Sequence, residues 1–220
     1  ITNSASLGDP FGELADFQKF VDQQRPATLG QWKKYPQVLY TELRAQLFGR
    51  SFPPDFPLPD SRVTGALFTG DTFDAQRYGI ERNIEPALAQ IAVRLGDRMR
   101  DDRFFGDQKA AHRALRTLLR ARTPSWLEQV DALVVDEVQD LTLLQVGLLG
   151  ELARSRLRAR PDDSFLVTVA GDESQVVQPS GFDWGVTKDL LRHLLDTDPA
   201  GFEYRHQRRS PKNLARLIDR

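Results

Sequence analysis

The sequence predicts an α/β fold, a parallel sheet covered by helices and preceded by a helical region. Three observations lead there. Ala132-Leu133-Val134-Val135 and Phe165-Leu166-Val167-Thr168-Val169-Ala170 are short, continuous apolar runs rich in β-branched residues, as buried strands are. Leu143 to Leu152, between them, carries apolar residues at helical spacing. Strands of this kind alternating with helices belong to parallel sheets covered on both faces, and that burial is expected here.

The helical region comes first in the chain. From Asp9-Pro10 onward, Phe11, Leu14, Ala15, Phe17, Phe20 and Val21 recur at a helix's period. Val38, Leu39, Leu43, Leu47 and Phe48 repeat the pattern up to Gly49. The next segment, SFPPDFPLPD, holds Pro53, Pro54, Pro57 and Pro59, which makes it an extended connector. A third helix is predicted from Ile84 to Met99, with Ala87, Leu88, Ile91, Ala92 and Leu95 on one face. A fourth starts with Asp107 as N-cap and runs through Ala111, Ala114, Leu115, Leu118 and Leu119. After the two strands come a helix from Val186 to Leu195, a short strand at Phe202 to Tyr204, and a last helix opening at Ser210-Pro211.

Composition narrows the function classes. At 220 residues and 24.9 kDa the chain can form one large domain or two small ones. Lys and Arg number 30 against 31 Asp and Glu, giving a net charge of -1, so no strongly basic domain marks it for nucleic acid. Cysteine is absent, which excludes disulfides, thiolate zinc sites and cysteine nucleophiles. His112, His193 and His206 are scattered and argue against a histidine-rich metal site. No apolar run approaches the roughly 18–20 residues of a membrane span, and ITNSASLGDP lacks a secretion signal's pattern. The expectation is a cytoplasmic protein without membrane contact. Its first residue is Ile rather than Met, as expected of a piece of a longer polypeptide.

Both apolar runs end in carboxylates, at the strand ends where open α/β sheets bind ligands. The first continues Asp136-Glu137-Val138-Gln139-Asp140. An apolar strand delivering Asp-Glu is the Walker B arrangement of nucleotide hydrolases, in which Asp holds Mg²⁺ and the next carboxylate handles the attacking water. The other explanation is an acidic turn after a buried strand, or acids gathered at a helix N-terminus.

The second run leads into Gly171-Asp172-Glu173-Ser174-Gln175, and Gln207-Arg208-Arg209-Ser210-Pro211 follows. DEVQD, GDESQ and QRRSP, in this order, resemble motifs II, III and IV of the UvrD/Rep-like superfamily 1 DNA helicases. The resemblance covers Trp126 to Arg220. It implies a partial RecA-like P-loop NTPase sheet preceded by a helical accessory subdomain. Residues 1–125 would be the accessory region, an inserted subdomain of the first motor domain. Residues 126–200 would be the latter half of that domain, and 201–220 the start of the second.

The resemblance also implies roles. Asp136 would coordinate Mg²⁺ and Glu137 would act as base toward water, while Gln139 and Asp140 would link nucleotide state to neighbouring motifs. Gln175 would sense the γ-phosphate, with Gly171 and Asp172 shaping the turn beside it. Arg209 would contact the γ-phosphate from the second motor domain, as guanidinium suits developing phosphoryl charge. Trp184 stands where the family places an aromatic residue on the single-stranded DNA path; the plainer alternative is a core aromatic. ATP and Mg²⁺ would be the cofactors and single-stranded or partly duplex DNA the partner, joined by a nuclease or repair subunit.

The chain departs from the family in three places. Gly185-Val186 follows Trp184 where the family carries Arg. Gln207-Arg208 stands where it has Asn-Tyr, so adenine stacking would fall to the Arg208 guanidinium plane. No GxxxxGK[ST] loop occurs, and without its backbone N–H groups and Lys a triphosphate has no cradle. This polypeptide alone is therefore expected not to hydrolyse ATP. Two other readings stand beside the motor: a non-catalytic helicase-derived scaffold or DNA-binding regulator, and an α/β hydrolase or phosphatase, for which Ser174 has no histidine motif.

Arginine outnumbers lysine 24 to 6. Clusters occur at Arg98/Arg100/Arg103, Arg113/Arg116/Arg120/Arg122 and Arg154/Arg156/Arg158/Arg160. On a helix, Arg113, Arg116 and Arg120 share a face that could follow a phosphate backbone. The neighbouring acids Asp97, Asp101, Asp102, Asp162 and Asp163 favour a solvated, ion-paired surface instead.

Overall fold

A computed structural model describes residues 10–24, 29–58, 91, 105–120, 123–161, 164–176 and 180–201. Helix α1 (Pro10–Asp22) begins with proline in the first turn, where no intrahelical N–H is needed. Its Phe17, Phe20 and Val21 are buried, as their spacing predicts. Helix α2 (Pro36–Glu42) runs on through a π-helical turn (Leu43–Leu47) and a 3-10 turn (Phe48–Arg50). The two helices close an aromatic core with Leu29, Ile91 and Phe105. Phe105 stacks on Tyr40 and Phe48, with ring centroids 5.0 and 4.6 Å apart. Ile91 has helical backbone; the rest of the helix predicted from 84 to 99 lies outside the described residues.

The proline-rich segment does more than connect. Phe52 and Phe56 are buried and stacked at 4.6 Å, and Gly147 leaves the room that Phe52 occupies. Helix α3 (Gly106–Arg120) opens one residue before Asp107. Asp107 therefore sits in the first turn rather than at the cap, where it accepts hydrogen bonds from Gln108 N (2.9 Å) and the buried Arg44 (2.6 Å). A single turn, α4 (Ser125–Glu128), precedes strand β1 (Ala132–Val135).

Helix α5 (Leu143–Ala159) is the crossover to β2 (Leu166–Val169), and it extends two turns past the predicted end. Thr142 and Gln145 form a reciprocal cap at its start, Gln145 Oε1 accepting Thr142 N–H at 2.9 Å. Near its end, Arg156 is fully buried. Its Nε donates to Val130 O at 2.8 Å and its guanidinium lies 5.5 Å from the Phe165 ring, so one side chain ties the helix to the residues leading into both strands. Glu151, also fully buried, pairs with Arg154 (3.2 Å) and Arg158 (3.4 Å). That arginine run is thus committed to structure. Helix α6 (Trp184–Leu195) starts two residues earlier than predicted because Asp183 caps it, accepting Val186 N at 2.9 Å.

The architecture is helices with a two-stranded parallel sheet, compatible with an α/β class. Ala132 pairs with Leu166 and Val135 with Val169. This register puts Val135 and Val169 on the face that meets α3, α5 and α6, in a core built from Ala111, Leu115, Leu144, Val146, Leu190 and Leu194 among others. The opposite face carries Ala132, Val134, Leu166 and Thr168, all exposed, with Val134 at 70% and Leu166 at 61%. The expected cover on both faces is therefore absent among the described residues. The helices gather on one side, and a continuous apolar run does not reveal which side stays open. No helix of the described residues is long and apolar enough to cross a membrane.

Candidate functional site

The acidic sequences after β1 and β2 meet at one end of the sheet because the strands are parallel and in register. Past Val135 the chain turns sharply. Asp136 Oδ1 accepts the backbone N–H of Glu137 at 2.9 Å, and Glu137 takes a left-handed conformation, φ 53° and ψ 41°. A non-glycine residue pays steric strain there, about 1–2 kcal/mol. The turn lets Val138–Asp140 wind into a 3-10 helix with Val138 and Gln139 buried. Val138 N then donates to Ala170 O at 2.9 Å, and Ala170 N to Val135 O at 2.8 Å, lacing the two post-strand loops together.

Gln139 is the hub. Its Nε2 donates to Glu137 Oε2 at 2.5 Å, and its Oε1 accepts Asp172 N–H at 3.0 Å. Its backbone oxygen accepts from Ser180 Oγ at 2.5 Å. A Cβ on Gly171 would collide with Gln139 Oε1 and press on Val138, so the close approach of the loops requires glycine. Asp172 organises the second loop: Oδ1 accepts from Ser174 N (2.9 Å) and Ser174 Oγ (2.6 Å), and Oδ2 from Gln175 Nε2 (2.6 Å). These bonds, those from Ser174 foremost, hold the Asp172 carboxyl below its ordinary value.

The loop also reaches α6. Glu173 Oε1 accepts the backbone N–H of Trp184 at 3.0 Å. The Trp184 ring is half-buried, edge-on to Phe182 at 5.0 Å, with Lys188 Nζ 5.6 Å from its centroid. Asp136, Glu137, Gln139, Asp140, Gly171, Asp172 and Gln175 thus share one site, and Trp184 is joined to it through Glu173. Arg208 and Arg209, with the whole QRRSP sequence, lie outside the described residues.

Sequence reasoning does not reach Glu173 or Ser180, and it weighs Ser174 only as a nucleophile, whereas here Ser174 binds Asp172. Glu173 and Ser174 lie inside the acidic sequence itself, but Ser180 meets Gln139 only through the fold. A polar network also links the site to the helical region: Thr142 Oγ1 donates to Gln108 Oε1 at 2.7 Å, Gln108 Nε2 to Asp107 at 3.0 Å, and Arg44 closes on the same carboxylate. Asp107, read from the sequence as an N-cap, is the one member of this network that sequence reasoning reaches; the Thr-x-x-Gln spacing at 142–145 is a second signal.

Asp136, Glu137, Asp172 and Glu173 are all exposed, so the site gathers negative charge with oxygen donors only. Among the described residues no three carboxylates or histidines converge on a metal position. Mg²⁺ needs no such cage, since it keeps several waters and takes one or two carboxylates plus phosphate oxygens. Asp136 suits that use: one oxygen caps Glu137 and the other has no hydrogen-bond partner among the described residues. Neither family models nor curated proteins nor solved structures yield a match to this chain.

Proposed function

We propose that the chain is a portion of a UvrD/Rep-like superfamily 1 DNA helicase, with the sheet belonging to a RecA-like motor domain. The intact enzyme, cytoplasmic in this reading, couples hydrolysis of Mg-ATP to movement on single-stranded or partly duplex DNA. The observation that carries the reading is the Gln139 amide, which holds Glu137 on one side and the Asp172 loop on the other. A motor needs such a link, because the group that handles water must respond to the loop beside the phosphates.

In this mechanism Asp136 would hold Mg²⁺, which when bound would supply neutralising charge to the transferring phosphoryl group. Glu137 takes the proton of the attacking water through Oε1, while Gln139 fixes Oε2 and so orients the carboxylate. Gln175 meets the γ-phosphate once it exchanges its bond to Asp172. Arg209 stabilises phosphoryl charge from the second motor domain. Trp184, anchored by Glu173, offers a sequence-tolerant stacking surface for a base and carries loop movement to the strand. A nuclease or repair subunit would act on the DNA so presented.

The test is ATP hydrolysis by the intact polypeptide carrying this sequence, with and without single-stranded DNA, beside its Glu137→Gln variant. DNA-stimulated turnover that falls by at least a hundredfold on this substitution supports the motor. Turnover absent, or indifferent to Glu137, replaces it with a helicase-derived scaffold.

A further inference from the structure

We infer that Gln108 and Thr142 are positioning residues for the acidic site. They belong to a buried polar relay through which the helical region fixes the turn carrying Asp136 to Asp140. Their bearing on turnover rests on the hydrolytic reading of that site. The relay starts in the helical region, where Arg44 Nη2 donates to Asp107 Oδ2 at 2.6 Å. Gln108 Nε2 donates to the same oxygen at 3.0 Å, and its Oε1 accepts from Thr142 Oγ1 at 2.7 Å. Thr142 Oγ1 also lies 3.2 Å from Gln145 Oε1, but that oxygen already accepts the Thr142 N–H. A hydroxyl has one proton, and the shorter contact takes it out of the helix cap and across to α3.

From Thr142 the constraint reaches the site along the backbone. Leu141 alone separates it from Asp140. Asp140 N donates to Glu137 O and Leu141 N to Val138 O, each at 3.0 Å. The turn thus has no slack, and a shift of Thr142 passes to Gln139, whose amide holds both Glu137 and the Asp172 N–H.

Helix capping does not account for Gln108. The reciprocal cap of Thr142 and Gln145 is complete within α5. Gln108 is 1% and Thr142 0% exposed, on elements whose other buried residues include the apolar Ala111, Leu115, Leu144 and Val146. Apolar side chains at 108 and 142 would be cheaper to desolvate, whereas a satisfied polar pair is directional and selects one placement. The run that presents Arg44 also contains the π-helical turn (Leu43–Leu47), an uncommon conformation that recurs at functional sites. It ends with Gly49 against Thr142, where a Cβ would come within 2.8 Å of the Thr142 methyl group. A bond through α3 and a direct contact therefore both reach Thr142 from the helical region.

The experiment follows backbone hydrogen exchange in the full chain by mass spectrometry, comparing peptides over residues 136–142 and 170–176 with peptides over α1 and α6. Gln108→Met keeps the volume and the Thr142 cap but breaks the relay. It should speed exchange in the two loop peptides by about tenfold, as one lost hydrogen bond does to a local opening, and leave α1 and α6 unchanged. Thr142→Val keeps the shape and loses the hydroxyl, while Thr142→Ser keeps the hydroxyl and loses the methyl. The relay makes Thr142→Val the more damaging change in the loops; packing against Gly49 alone makes it Thr142→Ser. Arg44→Met should loosen the same peptides from the far end, and Arg44→Lys, which keeps a cation beside Asp107, should restore most of the protection. Val21→Ala, in the aromatic core but outside the relay, should leave the loops as they are.

In the intact polypeptide, Gln108→Met should lower kcat for ATP hydrolysis by about tenfold with KM unchanged, because a displaced carboxylate slows the chemistry while substrate contacts remain. Wild-type loop exchange in Gln108→Met would overturn the relay. So would loosening that spreads equally to α1 and α6, Thr142→Ser proving worse than Thr142→Val, or a kcat indifferent to Gln108→Met in an active enzyme. An intact polypeptide without any turnover would sink the motor and not the relay, which the exchange data decide by themselves.

Discussion

Gln139 Oε1 accepts the backbone N–H of Asp172 across 3.0 Å, so the loop after β2 hangs on a side chain from the loop after β1. Replacing Gln139 by Leu removes the acceptor of that part-buried N–H and frees Glu137, and should cost about 1 kcal/mol. Gln139→Glu keeps an acceptor for Asp172 but sets a carboxylate against Glu137. Its instability should be greatest at neutral pH and recede as the pH falls and one of the two acids protonates. Urea unfolding at pH 7 and at pH 4.5 checks both.

Gly171→Ala should destabilise by about 1–3 kcal/mol, because its methyl group meets Gln139 Oε1 and Val138. Removing one of the colliding partners should relieve part of that. Gly171→Ala combined with Gln139→Ala is expected to cost less than the sum of the two single changes, as a double-mutant cycle by urea unfolding would show.

His112 gives stability a pH dependence on the acid side. Its folded-state value lies below the ordinary 6.5, through burial first and then Arg116 and Arg113. The unfolded chain therefore binds a proton before the folded one does. This contribution is complete above 6.5 and is lost as the pH falls from there through the folded value. His112→Gln should flatten the stability profile in that window and leave the slope above pH 7 unchanged, measured by chemical unfolding across pH 5 to 8.

The open face of the sheet and the core next to it should answer differently to substitution. Val134 is 70% exposed, and Val134→Thr should change stability by less than about 0.5 kcal/mol. Val138 is fully buried just beyond the same strand. Val138→Ala deletes two packed methyl groups and should cost roughly 2 kcal/mol. Thermal melts of the two variants, run together, test the asymmetry.

What the sequence disclosed follows from how local each cause is. Both strands were legible to within a residue because β-branched apolar runs depend on their own side chains. The acidic sequences at their ends were legible for the same reason. The open face was not, since Val134 and Val135 look alike until the position of α5 is known. Gln139 was marked as a link by resemblance alone, and its amide geometry depends on a residue 33 positions away. Phe52 and Phe56 were hidden among prolines that read as connector, yet they plug the core beside α5. The start of α6 was misplaced because Trp184-Gly185 breaks the apolar period, while the Asp183 cap fixes it.

Glu137 sits in a backbone conformation that suits glycine or asparagine better. Any redesign that scores this chain for stability alone would nominate position 137 early and promise a firmer turn. It would thereby delete the carboxylate that Gln139 holds in place. The substitution most attractive for robustness is also the one that disarms the proposed site, so a melting temperature that rises at this position counts as a warning and not as an improvement.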